Sequence, residues 1–136
     1  VDSSIVAKWF IIEEEFDAAL KVRDRFATGK IELSVPSLLF YEVMDTLRYS
    51  GVFNEEELVT ASRSLSKYDF EVWQPRGKIL EEYVKLSLKK DITIYDACYL
   101  ALAIKKRTRL MTEDSELLEK FPNITFSLRN FDSTSV

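Results

Sequence analysis

Four carboxylates, Asp2, Glu42, Asp96 and Asp114, are spread over a chain of 136 residues, each beside the start of a predicted helix or within its apolar stripe. An unpaired carboxylate in such a place costs several kcal/mol, because it leaves water without a compensating partner. If the fold gathers them, each close pair repels by roughly 3 to 4 kcal/mol at an effective dielectric of about 20. Hard divalent ions with oxygen ligands, Mg²⁺ or Mn²⁺, answer that repulsion. The chain contains no histidine, which excludes zinc sites built on imidazole, Ser-His-Asp and Cys-His nucleophilic systems and histidine general bases. Chemistry must then run on carboxylates, hydroxyls, lysines or metal.

Each carboxylate also has a purely structural reading. Asp2 and Asp114 can serve as helix N-caps. Thr93-Ile94-Tyr95-Asp96 matches a capping box, yet Asp96 is the only charge between Asp91 and Lys105, and its neighbours at helical spacing are Tyr99, Leu100 and Ala103. Glu42 falls in an apolar stripe with Leu38, Leu39 and Thr46, while Asp45, one turn on, is either the inward carboxylate or a solvated partner of Arg48. Glu113 and Glu116 read as surface charges.

These residues must be positioned by helices and strands that alternate. Val1 reads as the end of a strand, Asp2-Ser3-Ser4 as a turn, and Ile5-Val6-Ala7-Lys8-Trp9-Phe10 as the start of a helix. Helical spacing is expected over 13–28, stopped by Gly29, then over 37–51 after a strand at 31–35, and over 54–68 from an Asn54/Glu57 capping box. A strand at 70–73, a helix around 79–86, the most apolar helix at 93–106, a strand at 109–112, a short helix at 115–120 and a strand at 124–128 complete the pattern. Such alternation implies an α/β fold with a central parallel sheet and helices on both faces, in three layers. Sites in open parallel sheets form outside the carboxyl ends of the strands, which is where all four carboxylates fall. Internal repeats are absent, and the only low-complexity hint is Ser133-Thr134-Ser135.

The length suits a single domain spanning 1–136 that buries a core without staples. A lone cysteine, Cys98, inside an apolar run implies a small packed hydrophobe in a reducing compartment, and hence a cytoplasmic protein. No apolar run is long enough for a membrane span, and the acidic start is unlike a signal peptide. A net charge of −4 and a pI near 5.0 argue against a surface devoted wholly to nucleic acid. One local basic run stands out, Lys105-Lys106-Arg107 with Arg109; it either contacts nucleic-acid phosphates or complements the helix dipole. Trp9, Phe10 and Tyr41 could stack bases, line a partner's groove or pack in the core.

The acidic positions and their surroundings carry a resemblance. Val1-Asp2-Ser3-Ser4 with the helix that follows, the acid in Pro36-Ser37-Leu38-Leu39-Phe40-Tyr41-Glu42-Val43, the segment Ile94-Tyr95-Asp96-Ala97-Cys98-Tyr99-Leu100-Ala101-Leu102-Ala103, and Leu110-Met111-Thr112-Glu113-Asp114 are similar to the successive acidic motifs of PIN-domain ribonucleases. Among these the chain most resembles VapC-type toxins of prokaryotic toxin-antitoxin pairs. The resemblance covers nearly the whole chain, in order. It implies a metal-binding quartet of Asp2, Glu42, Asp96 and Asp114, with Ser3 and Thr112 as accompanying hydroxyls. It further implies Mg²⁺- or Mn²⁺-dependent endoribonuclease activity on RNA, a cognate antitoxin as partner, and a homodimer. A non-catalytic RNA- or protein-binding module of the same fold is the alternative. A phosphoacceptor receiver fits poorly, since Asp2 is followed by two serines, and a haloacid-dehalogenase-type phosphatase would need an aspartate where Ser4 stands.

Overall fold

A computed structural model describes residues 1–131. The Ser133-Thr134-Ser135 tail lies outside the described residues. The element order is α1 (Ser3–Ala7), α2 (Phe16–Ala27), β1 (Ser34–Pro36), α3 (Leu38–Tyr49), α4 (Glu55–Lys67), β2 (Glu71–Trp73), α5 (Lys78–Lys90), α6 (Ile94–Lys105), β3 (Leu110–Met111), α7 (Ser115–Lys120) and β4 (Thr125–Phe126), closed by a 3-10 turn at Leu128–Asn130.

The helix ends follow local chemistry. Asn54 and Glu57 form the reciprocal capping box at the start of α4. Gly29 and Gly51 follow α2 and α3 with φ of 77° and 79°, the left-handed conformation that an L side chain resists. Helix α2 starts at Phe16, three residues later than its spacing suggested. Lys8 accounts for the delay, because its ammonium pairs with Glu13 and donates to the Glu14 carbonyl, holding this acidic stretch as a turn.

All strand pairing is parallel: Val35 lies opposite Val72, and Leu110 opposite Thr125. The ladders are shorter than the expected strands and form two separate two-stranded pairs, β1-β2 and β3-β4, where one central sheet was expected. A strand counts as such only where a partner's peptide groups face it. Asp2 donates its N–H to the Met111 carbonyl at 3.2 Å, so the N-terminal residues run beside β3 without extending into a ladder. Helices α3 and α6 both pack on β1, α5 packs on α6, and α1 packs on α3. These contacts bring residues 2, 42 and 96 towards the same end of the strands.

Trp9 belongs to the core: its indole is 5% exposed and lies among Phe26, Tyr68 and Phe70, with centroids 4.9 to 6.3 Å away. Phe10 packs half-buried against the same core, and of the three aromatics singled out only Tyr41, 76% exposed, faces solvent. Cys98 is buried, donates its thiol to the Tyr95 carbonyl at 2.9 Å, and has its pKa pushed by burial up to about 12, so it packs as a hydrophobe rather than reacting as a thiolate. Among the described residues no helix is long and apolar enough to cross a membrane.

Candidate active site

Asp2 is the N-cap of α1 and one of three buried polar side chains among the described residues, at 6% exposure. One oxygen accepts from the Ser4 N–H at 3.0 Å and from the Ser4 hydroxyl at 2.5 Å; the other accepts from the Thr112 hydroxyl. Burial raises its carboxyl pKa, and these hydrogen bonds work in the opposite direction. Thr112, fully buried at the end of β3, also accepts the Asp114 N–H at 3.0 Å. A single hydroxyl therefore links the carboxylate at residue 2 to the backbone at residue 114.

Ser4, rather than Ser3, is the serine that holds Asp2. The reason is the cap itself, which places the second residue of the helix, not the first, over the capping carboxylate. The Ser3 hydroxyl bears instead on Glu42, where it helps to lower the carboxyl pKa. Ser4 also reaches the other end of the chain, since its Oγ accepts the Glu113 N–H at 3.0 Å. Glu113 is correspondingly half-buried rather than a surface charge, and its carboxylate accepts the Leu128 N–H at 2.7 Å, tying the C-terminal 3-10 turn to the site.

The choice between Glu42 and Asp45 is decided by packing. Glu42 is half-buried and Asp45 exposed. The Tyr99 hydroxyl, on a ring 5% exposed, donates to Glu42 Oε1 at 2.6 Å across 57 residues of sequence. Burial raises the Glu42 pKa, the Tyr99 and Ser3 hydroxyls lower it, and the charges of Asp2 and Asp96 raise it again. Nothing in the sequence singled out Tyr99 as a donor; its position three residues after Asp96, on the same side of α6, was the available signal.

Asp96 is half-buried, and its backbone N–H is capped by the Thr93 hydroxyl at 3.0 Å. Among the described residues the carboxylate does not return the bond to the Thr93 N–H, so α6 has a simple cap where α4 has the full box. Burial, then the charge of Asp114, raises the Asp96 pKa; Thr93 lowers it and Glu116 adds a further raise. Asp114 is exposed and caps α7, accepting the Leu117 N–H at 3.1 Å. The chain of mutual influence thus runs from Asp2 to Glu42, from Glu42 to Asp96, and from Asp96 to Asp114.

The donor chemistry of this cluster is all oxygen, and burial disfavours the anions of Asp2, Glu42 and Asp96, with neighbouring carboxylates adding to this at Glu42 and Asp96, which fits a hard divalent ion. Among the described residues no three of these side chains close into a ligand set. Asp2 turns both oxygens onto Ser4 and Thr112, Glu42 gives one to Tyr99, and Asp114 gives one to its helix.

The basic run lies elsewhere. Lys105, Lys106, Arg107 and Arg109 are exposed at the far end of α6. Ten residues separate Asp96 from Lys106, a helical rise of about 15 Å. Lys106 pairs with Glu71 at 2.9 Å, and Arg109 lies over the Phe126 ring at 4.6 Å, so two of the four cations are engaged within the protein.

Known proteins resemble this chain over most of its length. The chain is 33% identical over 133 residues, 90% of its own length and 93% of the relative's, to a protein named Ribonuclease VapC3 from Pyrobaculum aerophilum. It is 28% identical over 99 residues, 71% of its length and 73% of the relative's, to one named Exonuclease VapC9 from the same organism. The PIN domain family matches residues 1–123, a span containing all four carboxylates and the hydroxyls that hold them, and the chain belongs to that family.

Proposed function

We propose that this protein is a Mg²⁺- or Mn²⁺-dependent endoribonuclease that hydrolyses phosphodiesters of single-stranded or looped RNA, as the toxin of a toxin-antitoxin pair. The observation that carries the proposal is a buried Asp2 held by the Ser4 and Thr112 hydroxyls, with Thr112 tied to the backbone of Asp114 and Glu42 tied through Tyr99 to the helix that carries Asp96. The names of both relatives, a ribonuclease and an exonuclease, support the nuclease class. When bound, the divalent ion would lower the pKa of water and neutralise charge building on the phosphate oxygens. Asp2 and Asp96 would hold it directly, and Asp114 directly or through water. Glu42, fixed on one side by Tyr99, would use its free oxygen to orient the attacking water. Thr112 and Ser4 would keep Asp2 in the rotamer that the ion requires. Lys105, Lys106, Arg107 and Arg109 would hold only flanking phosphates, given their distance along α6.

A protein antitoxin and a second copy of the chain complete the proposed assembly. The surface offered for the homodimer is the stripe Leu80, Val84 and Leu88, one helical turn apart on α5 and 37, 43 and 79% exposed.

The test uses one RNA sequence as a closed circle and as a linear strand, each with Mn²⁺. An endonuclease opens the circle, an exonuclease degrades only the linear form, and no cleavage of either would leave a non-catalytic module. Asp96→Asn should then abolish cleavage by orders of magnitude while keeping the fold, because the amide keeps its shape and loses the charge that holds the ion. Retained cleavage would remove Asp96 from the ligand set.

A further inference from the structure

On the opposite side of α6 from Asp96 and Tyr99, a hollow of about 900 Å³ lies between α5, the C-terminal half of α6 and β2. At about 100° per residue, Ala101 and Lys105 are turned roughly 140° and 180° from Asp96, and Ile104 about 80°; the lining includes neither Tyr99 nor any of the four carboxylates, so the hollow is separate from the site described above. Its apolar lining includes Val72, Ile79, Leu86 and Ile104, of which Val72 and Ile104 are 40 and 51% exposed.

Charge makes the hollow selective. Its rim carries Arg76, Lys78, Lys85, Lys89 and Lys105 against a single acid, Glu82, in a chain whose net charge is −4. Among the described residues only Lys85 of these five makes a salt bridge, to Glu82 at 3.8 Å, and it is 72% exposed. Four cations around an apolar floor are thus left without counter-charge. The backbone supplies a second feature. Glu71 donates to Leu33 and Trp73 accepts from Ser37, so both face β1, and the N–H and C=O of Val72 between them point to the other edge of the pair. That edge is unpaired among the described residues.

We propose that the α5–α6–β2 hollow docks an acidic peptide segment of a protein partner, whose apolar side chains fill the floor, whose carboxylates meet the rim and whose backbone pairs with β2. Strand addition at a free edge with side-chain pockets beside it is a general mode of peptide recognition. RNA fits less well. Single strands bind on stacked aromatic platforms, whereas the one aromatic here, Trp73, has its indole N–H tied to Glu71 at 2.7 Å. The proposal is independent of the carboxylate chemistry, since the hollow contains none of the four acids.

The full chain can be titrated by fluorescence anisotropy with three labelled probes: a Gly-Ser-flanked peptide alternating leucine and glutamate, the same peptide with lysine for glutamate, and a single-stranded RNA 12-mer. The acidic peptide should bind, with amide shifts centred on Val72, Ile79 and Ile104 in the ¹H–¹⁵N spectrum. Lys85→Glu combined with Lys89→Glu should weaken it at least tenfold, as should Ile104→Glu. All three positions are solvent-facing, so melting curves should stay at the parent value. Absence of acidic-peptide binding, equal binding of the lysine peptide, displacement by the RNA, shifts mapping elsewhere, or variants that bind as the parent does would each overturn the proposal.

Discussion

Tyr99→Phe removes one oxygen atom and tests how Glu42 is held. The ring is buried and stays in place, so the change creates no cavity; what is lost is a 2.6 Å hydrogen bond to a carboxylate. Bonds to charged groups contribute about 1.5–3 kcal/mol. Glu42 is only half-buried, so water can replace part of this, and the stability loss should be about 1–2 kcal/mol. For a domain of this size that lowers the melting temperature by about 3–5 °C per kcal/mol. Because the Tyr99 hydroxyl lowers the Glu42 pKa, its removal should raise that pKa further above the ordinary carboxylate value. Loss of a group that orients a metal-site residue typically costs about 10–100-fold in affinity or activity. The assay pairs carboxyl ¹³C titration of Glu42 in the metal-free protein with the rate of RNA cleavage in Mn²⁺. An unchanged Glu42 titration with an unchanged cleavage rate would refute the positioning argument, whatever the melting temperature did.

Three further outcomes are expected. Asp2, Glu42 and Asp96 all have carboxyl pKa values raised by folding, so their contribution to metal-free stability is full below the unfolded carboxylate value, near 4, and is lost as pH rises through the folded values; thermal melts across pH with and without Mg²⁺ should show that decline and its suppression by the ion. Glu71 behaves oppositely, its pKa lowered to about 2 by hydrogen bonds from Lys106, Trp73 and Ser34. Its stabilising contribution is present above 4.5, fades as pH falls towards 2, and should vanish in Glu71→Gln; the side chain is half exposed, so the effect in acid-range melts should be about 1 kcal/mol or less. Val84→Asp on the outer stripe of α5 should shift sedimentation from dimer to monomer at micromolar concentration without lowering the melting temperature of the isolated chain, and a parent protein already monomeric there would remove the dimer proposal.

Most helix ends were legible in the sequence because they depend on neighbours within a turn: Asn54 with Glu57 and the glycines after α2 and α3 act through bonds and dihedrals that local chemistry specifies. The order and spacing of the four acids were likewise sufficient to indicate the family, since alternating helices and strands place such positions at one end of a parallel sheet. Partner choice was not legible. Tyr99 meets Glu42 across 57 residues, and Thr112 meets Asp2 across 110, so these bonds depend on how α3, α6 and β3 pack rather than on any local pattern. The same holds for Ser4 over Ser3, for Glu42 over Asp45, and for Trp9, which gives up an exposed role to the core. The short ladders follow the same logic, because a strand exists only where another peptide faces it. Sequence determined which side chains were available; tertiary packing decided which atoms met, because hydrogen bonds and desolvation act over a few ångströms and residues far apart in the chain reach that range only through the fold.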